Sequence, residues 1–451
     1  MKVLFISLGC DKNLVDSEEM LGLLTSKGYK ITDDETEADI IVVNTCCFIH
    51  DAKEESIQTI IEMGKYRLEG KCKALVVTGC LAQRYRSEII KEIPEVDAVL
   101  GTASYHEIVT AIEHVLGGEQ YEEYCALTHL PDVQADRVIT TGGHYGYLKI
   151  AEGCNKHCTY CIIPKIRGNY RSVPMEKLIQ QAQYLVSQGV KELILVAQET
   201  TIYGIDLYGE KSLHILLKEL CKIQGLYWIR VLYCYPEEIY GELIQTIKEE
   251  PKICHYLDLP IQHASDGVLK RMGRRTSKQQ LIDIIHTLRE EIPDIVLRTT
   301  LITGFPGETQ EQHEELMNFI DEMEFDRLGV FTYSPEEDTP AAIMKDQIDE
   351  EVKLDRQAEL MELQQEISMD KGLDRVGETL WVMIEGKVAD ENAFVGRTYA
   401  DAPGIDGYVF VNTGTELMSG DFAQVRITGA MEYDLIGELE DEYTSEYEFT
   451  E

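Results

Sequence analysis

Short apolar runs alternate with longer amphipathic segments through the first 117 residues of the chain. The apolar runs have the length of buried strands, and the segments between them are long enough for helices. The pattern predicts strands over 3–7, 39–43, 74–77 and 98–100, and helices over 17–26, 53–65, 83–93 and 104–116. Strands that alternate with helices in this way are typical of a doubly wound parallel sheet.

The alternation resumes after a less regular stretch over 118–146. Six strands are predicted near 147–151, 192–197, 228–233, 256–260, 295–302 and 327–333, with helices between them that include 175–187, 237–248, 278–289 and 311–323. Six such strand–helix units predict an incomplete or full α/β barrel, a fold that places its chemistry at the carboxyl ends of the strands.

The last part of the chain follows a different pattern. A charged helix is predicted over 350–371, and five short strands follow near 379–388, 393–399, 407–412, 422–431 and 434–438, with glycine at the turns. Five short strands in so few residues predict a small β-barrel of the OB kind. The predicted division is an N-terminal domain over 1–117, a linker over 118–139, an α/β barrel domain over 140–371, a β-barrel domain over 372–440 and an acidic tail over 441–451.

Hydropathy and cysteine content together favour a cytoplasmic protein. No run approaches the roughly 20 apolar residues of a membrane span. The segment Leu8-Gly9-Cys10 resembles a lipoprotein cleavage site, but the apolar run before it covers only residues 3–6, which is too short for the core of a signal peptide. In a long chain of this kind, 12 cysteines favour metal binding or catalysis over disulfides.

Three cysteines are grouped in the loop after the first strand of the predicted α/β barrel. Cys154, Cys158 and Cys161 have the spacing C-x3-C-x2-C. A four-iron cluster held by three thiolates keeps one iron open for a small-molecule ligand, as a catalytic metal site requires. Zinc is the alternative, but structural zinc sites usually pair two C-x2-C units or add a histidine pair. His157 lies between the cysteines, and no second C-x2-C unit occurs in the chain.

A second set of cysteines follows three strands of the N-terminal region. Cys10, Cys46 and Cys80 come directly after the first, second and third predicted strands. Because ligand sites of open α/β sheets lie at the carboxyl ends of strands, we expect the three thiols to converge into another three-thiolate site. Three buried thiols without a ligand are the alternative. Cys47 neighbours Cys46, but the match to Gly-Cys at the other two strand ends favours Cys46 as the ligand.

Polar and glycine-rich segments follow other strands of the predicted barrel. Gln198 and Glu199 follow the second strand, Gln262 and His263 the fourth, and a turn that begins with Gly304 follows the fifth. A glycine-rich turn that leads into a helix allows a ligand to approach the backbone N–H groups. A tight turn at Gly304 and helix capping by Gln262 and His263 are the alternatives.

Charge argues against nucleic acid as the partner of the C-terminal barrel. The formal net charge of the chain is −39, and residues 376–451 contain 17 acidic side chains against three basic ones. Phosphate contacts dominate nucleic-acid affinity and depend on Lys and Arg. An acidic barrel is better suited to a basic protein partner.

These motifs resemble one family. Cys154, Cys158 and Cys161, with Tyr160 before the last cysteine, are similar to the radical S-adenosylmethionine loop, while Cys10, Cys46 and Cys80 resemble the N-terminal cluster domain of the methylthiotransferases. The C-terminal barrel resembles their TRAM domain, so the resemblance covers almost the whole chain. The family has tRNA-modifying branches and a branch that acts on ribosomal protein uS12. Segments that resemble the uS12 branch are 7–13, 46–49, 52–57 and 402–407.

The resemblance implies cofactors, a reaction and partners. The cofactors are two 4Fe-4S clusters, held by the two cysteine sets, and S-adenosyl-L-methionine. Tyr160, Gln198, Glu199 and Gly304 are implied to line the pocket of that cofactor, although the family pattern has Asp where this chain has Glu199. The implied reaction removes a β-hydrogen from an aspartate of uS12 by radical chemistry and installs a methylthio group, giving 3-methylthioaspartate. No catalytic side chain is assigned beyond the cluster ligands.

The expected partners are uS12, free or in the small ribosomal subunit, and an electron donor such as flavodoxin or ferredoxin. A monomer without a membrane anchor and without direct tRNA binding is expected. Two alternatives remain. One is a tRNA adenosine C2 methylthiotransferase, for which a basic barrel would be expected. The other is a non-enzymatic iron–sulfur protein for electron transfer or scaffolding, for which closed four-cysteine clusters would be expected.

Overall fold

The computed structural model describes residues 1–132, 136–389 and 391–440, so the acidic tail predicted over 441–451 lies outside the described residues. Within the described ranges, no helix combines the length and the apolar character that crossing a membrane requires.

The N-terminal region forms a six-stranded parallel sheet with the order β2-β1-β3-β4-β5-β6. Alternate residues along its central strands enter two separate cores, Ile41 and Val43 on one face and Ile40 and Val42 on the other. The predicted doubly wound sheet is therefore confirmed. Its strands are β1 (Lys2–Ser7), β2 (Lys30–Thr32), β3 (Ile40–Thr45), β4 (Ala74–Gly79), β5 (Ala98–Leu100) and β6 (Tyr121–Glu123), and its helices are α1 (Asp11–Ser26), α2 (His50–Glu69), α3 (Cys80–Tyr85), α4 (Ser87–Glu92) and α5 (Ile108–Leu116).

Three details of this sheet differ from the prediction. The edge strands β2 and β6 were not predicted, because three residues with the sequences KIT and YEE are too short to show a periodic pattern. Helix α1 begins at Asp11, directly after Cys10, and not at residue 17. The helix predicted over 83–93 is divided into α3 and α4 at Arg86, whose φ of +49° interrupts helical geometry.

The central region is an open parallel sheet with the order β14-β13-β12-β11-β10-β7. Strands β7 and β14 form its two edges, so the barrel is incomplete. The strands are β7 (Tyr145–Lys149), β10 (Glu192–Val196), β11 (Trp228–Val231), β12 (Ile253–Asp258), β13 (Val296–Thr303) and β14 (Arg327–Thr332), and a separate two-stranded ribbon is formed by β8 (Ala151–Glu152) and β9 (Arg171–Ser172).

The longer helices of the central region pack against one face of this sheet. Its described residues form eight α-helices in all. They are α6 (Ile163–Ile166), α7 (Met175–Ser187), α8 (Ile205–Tyr208), α9 (Leu213–Cys221), α10 (Gly241–Glu249), α11 (Asp266–Arg271), α12 (Lys278–Glu291) and α13 (Gln310–Met323). Capping boxes at Ser277 with Gln280 and at Thr309 with Gln312 fix the starts of α12 and α13. The short helices α6, α8 and α11 were not predicted, because four to six residues are too few for a helical period.

The C-terminal region begins with the helix α14 (Glu350–Asp374) and closes into a barrel with the order β15-β16-β17-β19-β18. The barrel strands are β15 (Thr379–Lys387), β16 (Ala393–Arg397), β17 (Val409–Asn412), β18 (Phe422–Ala430) and β19 (Leu435–Leu439). Five strands and a closed barrel were both expected from the sequence pattern, and the fold class is confirmed.

The three regions share buried contacts. Met383 and Phe422 of the barrel and Val15 of α1 pack against the inner face of the central sheet. Isoleucines 162 and 166, from the segment around α6, enter a core of the N-terminal sheet. These contacts hold the carboxyl edge of the N-terminal sheet against the loop that follows β8.

Candidate functional site

The first cysteine set lies in the loop after β8. Gly153 begins this loop with a φ of +77°, and a Cβ at that position would lie 2.3 Å from the carbonyl oxygen of Asn169. Only glycine fits such a turn. The loop buries Cys154 and Cys158 and leaves Cys161 half-buried. Cys158 acts electrostatically on both Cys154 and Cys161, so the structure brings the three thiols close together.

Cys154 and Cys161 of this loop are unfavourable as free thiolates. The pKa of Cys154 is raised to about 11, by burial above all and also by the neighbouring Cys158, although the N–H of Lys156, 3.4 Å from the Cys154 sulfur, lowers it. Burial and Cys158 also raise the pKa of Cys161. Because a metal ligand must be a thiolate, the group bound here has to supply positive charge.

The second cysteine set lies where three parallel strands end. Cys10 follows β1 and is exposed, Cys46 follows β3, and Cys80 opens α3 directly after β4. Cys46 packs directly on Gly9, where an added Cβ would lie 2.9 Å from its sulfur. Burial raises the pKa of Cys80 far above its usual value, Arg167 lowers it, and the nearby Cys47, Cys46 and Cys10 raise it. The structure thus brings the three thiols to one edge.

Cys47 lies in the same hydrophobic core as Cys80. Its side chain is completely buried in the core that contains Ile60 and Val77, and burial raises the pKa of its thiol to about 12. Cys10 is among the groups that raise the pKa of Cys46 but not among those that act on Cys47. The choice of Cys46 over Cys47 as the ligand stays a prediction.

Neither cysteine set is arranged for a single ion. Thiolates around one tetrahedral ion sit about 2.3 Å from it and therefore within about 4 Å of one another. Among the described residues, no three His, Cys, Asp or Glu side chains meet the requirement for one metal ion. A four-iron cluster spreads its ligands over a larger cage and takes three or four thiolates. Three thiolates in each set match the donor set of such a cluster, and the choice of a cluster over zinc stays a prediction.

The contact between Gly9 and Cys46 leads to a matched pair of variants. Gly9→Ala should lower the amount of cluster bound by Cys10, Cys46 and Cys80, because the added Cβ would lie 2.6 Å from the Cys46 Cβ. Gly28→Ala is the control, since Gly28 has a similar φ of +82° but no atom within 4 Å of the added Cβ among the described residues. Both variants carry the strain of a positive φ, roughly 1–2 kcal/mol. Iron per chain measures the result, and equal iron in the two variants would contradict the expectation.

The predicted cofactor residues include two unpartnered oxygens. Gln198 Oε1 and Glu199 Oε2 are buried and have no hydrogen-bond partner among the described residues. Burial raises the pKa of Glu199 to about 7, although its bond from Thr201 and the Lys156 ammonium at 3.7 Å both lower it. Unpartnered buried acceptors are rare in native proteins and indicate a missing donor. Both side chains therefore fit a ligand that donates hydrogen bonds.

Tyr160 and Gly304 have different surroundings. The Tyr160 ring is half-buried and stands edge-on to Phe305, with centroids 6.5 Å apart. Gly304 has a φ of +72°, and an added Cβ would lie 2.3 Å from Cγ of Lys353 on α14. Close packing of α14 thus accounts for this glycine, and its contact with a cofactor stays a prediction.

Arg274 was missed by the sequence reasoning. Its buried guanidinium lies over the Tyr235 ring at 4.4 Å, and Nη2 donates to the Pro260 carbonyl at 2.9 Å. Nε and Nη1 have no acceptor within the described ranges. The turn that carries Arg274 contacts the cysteine loop, because the Thr159 N–H donates to the Met272 carbonyl at 2.9 Å. Arg274 lies in a polar turn between α11 and α12, where no periodic signal distinguishes it from a surface residue.

Lys156 was also missed, although it lies between the cysteines. Its ammonium pairs with Glu238, lies 3.8 Å from Glu237 and stands 4.9 Å from the centre of the Tyr235 ring. Acidic residues thus balance the cation beside Cys154. The sequence shows a lysine in the loop but not the carboxylates that meet it from a strand end about 80 residues away.

Comparison with known proteins gives the class of this fold and site. The model of the Radical SAM superfamily matches residues 148–320, which include the whole cysteine loop. Residues 2–101 match an uncharacterized protein family, UPF0004, and residues 376–439 match the TRAM domain. The central region is thus a radical S-adenosylmethionine domain.

Relatives narrow the class to one family. The chain is 64% identical over 98% of its length to the ribosomal protein uS12 methylthiotransferase RimO of Lachnoclostridium phytofermentans, and the match covers 100% of that protein. It is 52% identical to the protein of the same name from a Thermoanaerobacter species, over 96% of this chain and 98% of that one. The chain therefore belongs to the family of ribosomal protein uS12 methylthiotransferases, as the sequence motifs predicted.

A solved structure supports the fold alone. The radical S-adenosylmethionine methyltransferase TsrM from Kitasatospora setae, with cobalamin and a [4Fe-4S] cluster bound, aligns with a TM-score of 0.54. The alignment covers 76% of this chain and 77% of TsrM at 14% identity.

Proposed function

We propose that this protein transfers a methylthio group to the β-carbon of an aspartate in ribosomal protein uS12, giving 3-methylthioaspartate. The observation that carries the proposal is 64% identity to a uS12 methylthiotransferase through all three regions, the C-terminal barrel included. The two cysteine trios agree with it, because each has the donor set for one cluster with an open iron.

Cys154, Cys158 and Cys161 would hold one 4Fe-4S cluster, and Cys10, Cys46 and Cys80 the other. When bound, the first supplies electrons for cleavage of S-adenosylmethionine and the second supplies sulfur, chemistry that no side chain provides. The chain's own residues bind and orient the cofactor. Glu199 Oε2, which accepts no hydrogen bond but lies 3.7 Å from the Lys156 ammonium, would accept from the ammonium group of the cofactor. The unpartnered Nε and Nη1 of Arg274 would donate to its carboxylate.

The raised pKa of Glu199 makes cofactor affinity depend on pH. An ammonium group prefers the ionised carboxyl, so affinity should fall as pH drops below about 7, by up to about tenfold per pH unit. Glu199→Gln should weaken binding about ten- to hundredfold at pH 8, since it removes a charge-assisted hydrogen bond, and its affinity should no longer depend on pH. Equilibrium dialysis with S-adenosylmethionine measures both effects. Glu249→Gln, on the surface of α10, is the control and should bind as the unaltered protein does.

The barrel favours a protein substrate over tRNA. Of its three basic residues, Arg397 is completely buried and Lys387 is paired with Glu416 at 2.8 Å. Arg426 is exposed, but it lies directly opposite Glu438 on the neighbouring strand β19. Such a surface repels phosphate and attracts the basic surfaces typical of ribosomal proteins.

A comparison of uS12 and tRNA as substrates tests the proposal. The reconstituted protein, with S-adenosylmethionine and a reductant, is offered uS12 and tRNA in separate reactions. We expect one CH2S unit to be added to a uS12 aspartate and none to tRNA. A methylthio group on adenosine with unmodified uS12 would favour the tRNA alternative. The electron donor, the monomeric state and the cytoplasmic location stay predictions.

A further inference from the structure

Arg167 is a buried cation that reaches from one cysteine site to the other. It follows α6, six residues after Cys161, and only 2% of its surface is exposed. Its Nη2 lies 3.8 Å from the sulfur of Cys80 and also donates to Oδ1 of Asn13. A side chain of the radical S-adenosylmethionine domain thus contacts a thiol of the N-terminal trio.

Two buried carboxylates hold the guanidinium in place. Nη1 donates to Asp16 at 2.8 Å and to Glu152 at 3.1 Å, and the buried Lys149 pairs with the same two carboxylates. Glu152 directly precedes the glycine that opens the loop of the first trio. Arg167, at the end of that loop, is therefore bonded directly to Asp16 of α1. Glu152, at its start, is linked to the same aspartate through Arg167 and Lys149.

The electrostatics agree with this geometry. Lys149 lies 2.7 Å from the Glu152 carboxylate, and Arg167 lies 3.1 Å from it. The four buried groups, Lys149, Arg167, Asp16 and Glu152, then balance in charge. One N–H-bearing edge of the guanidinium remains directed at the Cys80 sulfur.

Asn13 extends the arrangement to the other two thiols. Its Nδ2 donates to the carbonyls of Leu8 and Thr45, both at 2.9 Å. These residues lie two positions before Cys10 and one before Cys46. Because Arg167 bonds the Oδ1 of the same amide, it supports all three strand ends that carry the trio.

We propose that Arg167 is a positioning residue for the N-terminal cluster, to whose Cys80 sulfur it donates a charge-assisted N–H···S hydrogen bond. The inference rests on the proposed assignment of that cluster to Cys10, Cys46 and Cys80. A positive donor at a ligand sulfur stabilises the reduced, more negative cluster and raises its reduction potential. Arg167 also ties that cluster to the loop of the other one.

The reduction potential of the N-terminal cluster tests this role. In the full chain with Cys154, Cys158 and Cys161 changed to alanine, only the N-terminal cluster is loaded. A dithionite titration followed by electron paramagnetic resonance then reports its potential. Arg167→Gln should shift the redox equilibrium toward the oxidised cluster at least tenfold, which is about 59 mV for a one-electron couple. Arg167→Lys should shift it in the same direction but less, because one ammonium cannot reach both carboxylates and the sulfur.

Arg137→Gln is the matched control. Arg137 is a buried arginine that also pairs with α1, through Glu18 at 2.6 Å, but its guanidinium is not among the groups that meet a cysteine sulfur in the described structure. The Arg137→Gln variant should have the same iron content and the same reduction potential of the N-terminal cluster as the protein with Arg137. An unchanged potential in Arg167→Gln, or an equal shift in Arg137→Gln, would overturn the inference.

Two further outcomes are informative. If Arg167→Gln loses its iron, Arg167→Lys carries the test, and an unchanged potential in that variant would overturn the inference. If the three-alanine protein with Arg167 intact holds no cluster, the two-cluster assignment itself fails. That result differs from the one in which the cluster is loaded and its reduction potential does not change when Arg167 is substituted.

Discussion

Cys154→Ala is expected to abolish both 5′-deoxyadenosine formation and methylthio transfer, whereas Cys10→Ala should abolish only the transfer. Each trio provides three thiolates, and two thiolates leave a second iron of the cluster without a protein ligand. Since the trios lie on different sheets, the loss of one should leave iron at the other. Iron per chain, chromatography of 5′-deoxyadenosine and the mass of uS12 measure the three effects.

Cys72→Ala is the control for these two variants. Cys72 is a buried thiol whose sulfur donates to the Ala74 carbonyl at 3.2 Å, in the N-terminal core and outside both trios. It should keep the full iron content and both activities. If Cys10→Ala still made methylthiolated uS12, the assignment of the second cluster would be wrong.

Glu192→Ala should destabilise the protein by about 3–5 kcal/mol, the cost of breaking a buried ion pair by removing one partner. Glu192 opens β10 and is completely buried between Arg230 and Arg397, each 2.8 Å away and each also completely buried. Without the carboxylate, two guanidinium charges face each other in the interface between the central sheet and the barrel. The midpoint of urea unfolding measures the loss.

Low pH should also reduce the stability of the protein, because it protonates the Glu192 carboxylate. Burial alone would raise the pKa of Glu192, but the two arginines outweigh it and lower the pKa below its usual value. The stability that this lowering contributes is present above the unfolded pKa and is lost as pH falls through the lower, folded pKa. Glu192→Gln should therefore flatten the loss of stability below about pH 4.5.

Glu291→Ala is the control for Glu192. Its partner Lys248 is 3.0 Å away, and both side chains are nearly half exposed. Exposed pairs contribute little, so the free energy of unfolding should change by less than about 1 kcal/mol. Equal destabilisation of the Glu192 and Glu291 variants would contradict the account of this interface.

Periodicity was enough to predict the sheets and the barrel. Strands such as ELILV at β10 are buried along their whole length, and the pattern of such runs gives the element order. Strand ends also located both cysteine trios, because chain order alone places Cys10, Cys46 and Cys80 after parallel strands. The shortest strands and helices were not predicted, because they have too few residues for a periodic pattern. The division of one predicted helix at Arg86 was not predicted either, because a single left-handed residue leaves no periodic signal.

Long-range polar partners could not be predicted from the sequence. Arg167 and Cys80 are 87 positions apart, and Glu192 and Arg397 are 205 apart. Arg167, Glu192 and Arg397 are charged residues for which the sequence pattern predicts no burial, and each has a partner in another domain. The role of Arg274 could not be predicted either. Its buried, unpartnered N–H groups are recognised only in the folded structure, where its turn packs against the cysteine loop.

The most direct test of the proposed function is mass spectrometry of uS12 and of bulk tRNA from cells with and without this gene. The account predicts one additional CH2S unit on a uS12 aspartate, present with the gene and absent without it, and no change in tRNA. Unchanged uS12 together with the loss of methylthio-adenosine from tRNA would contradict it.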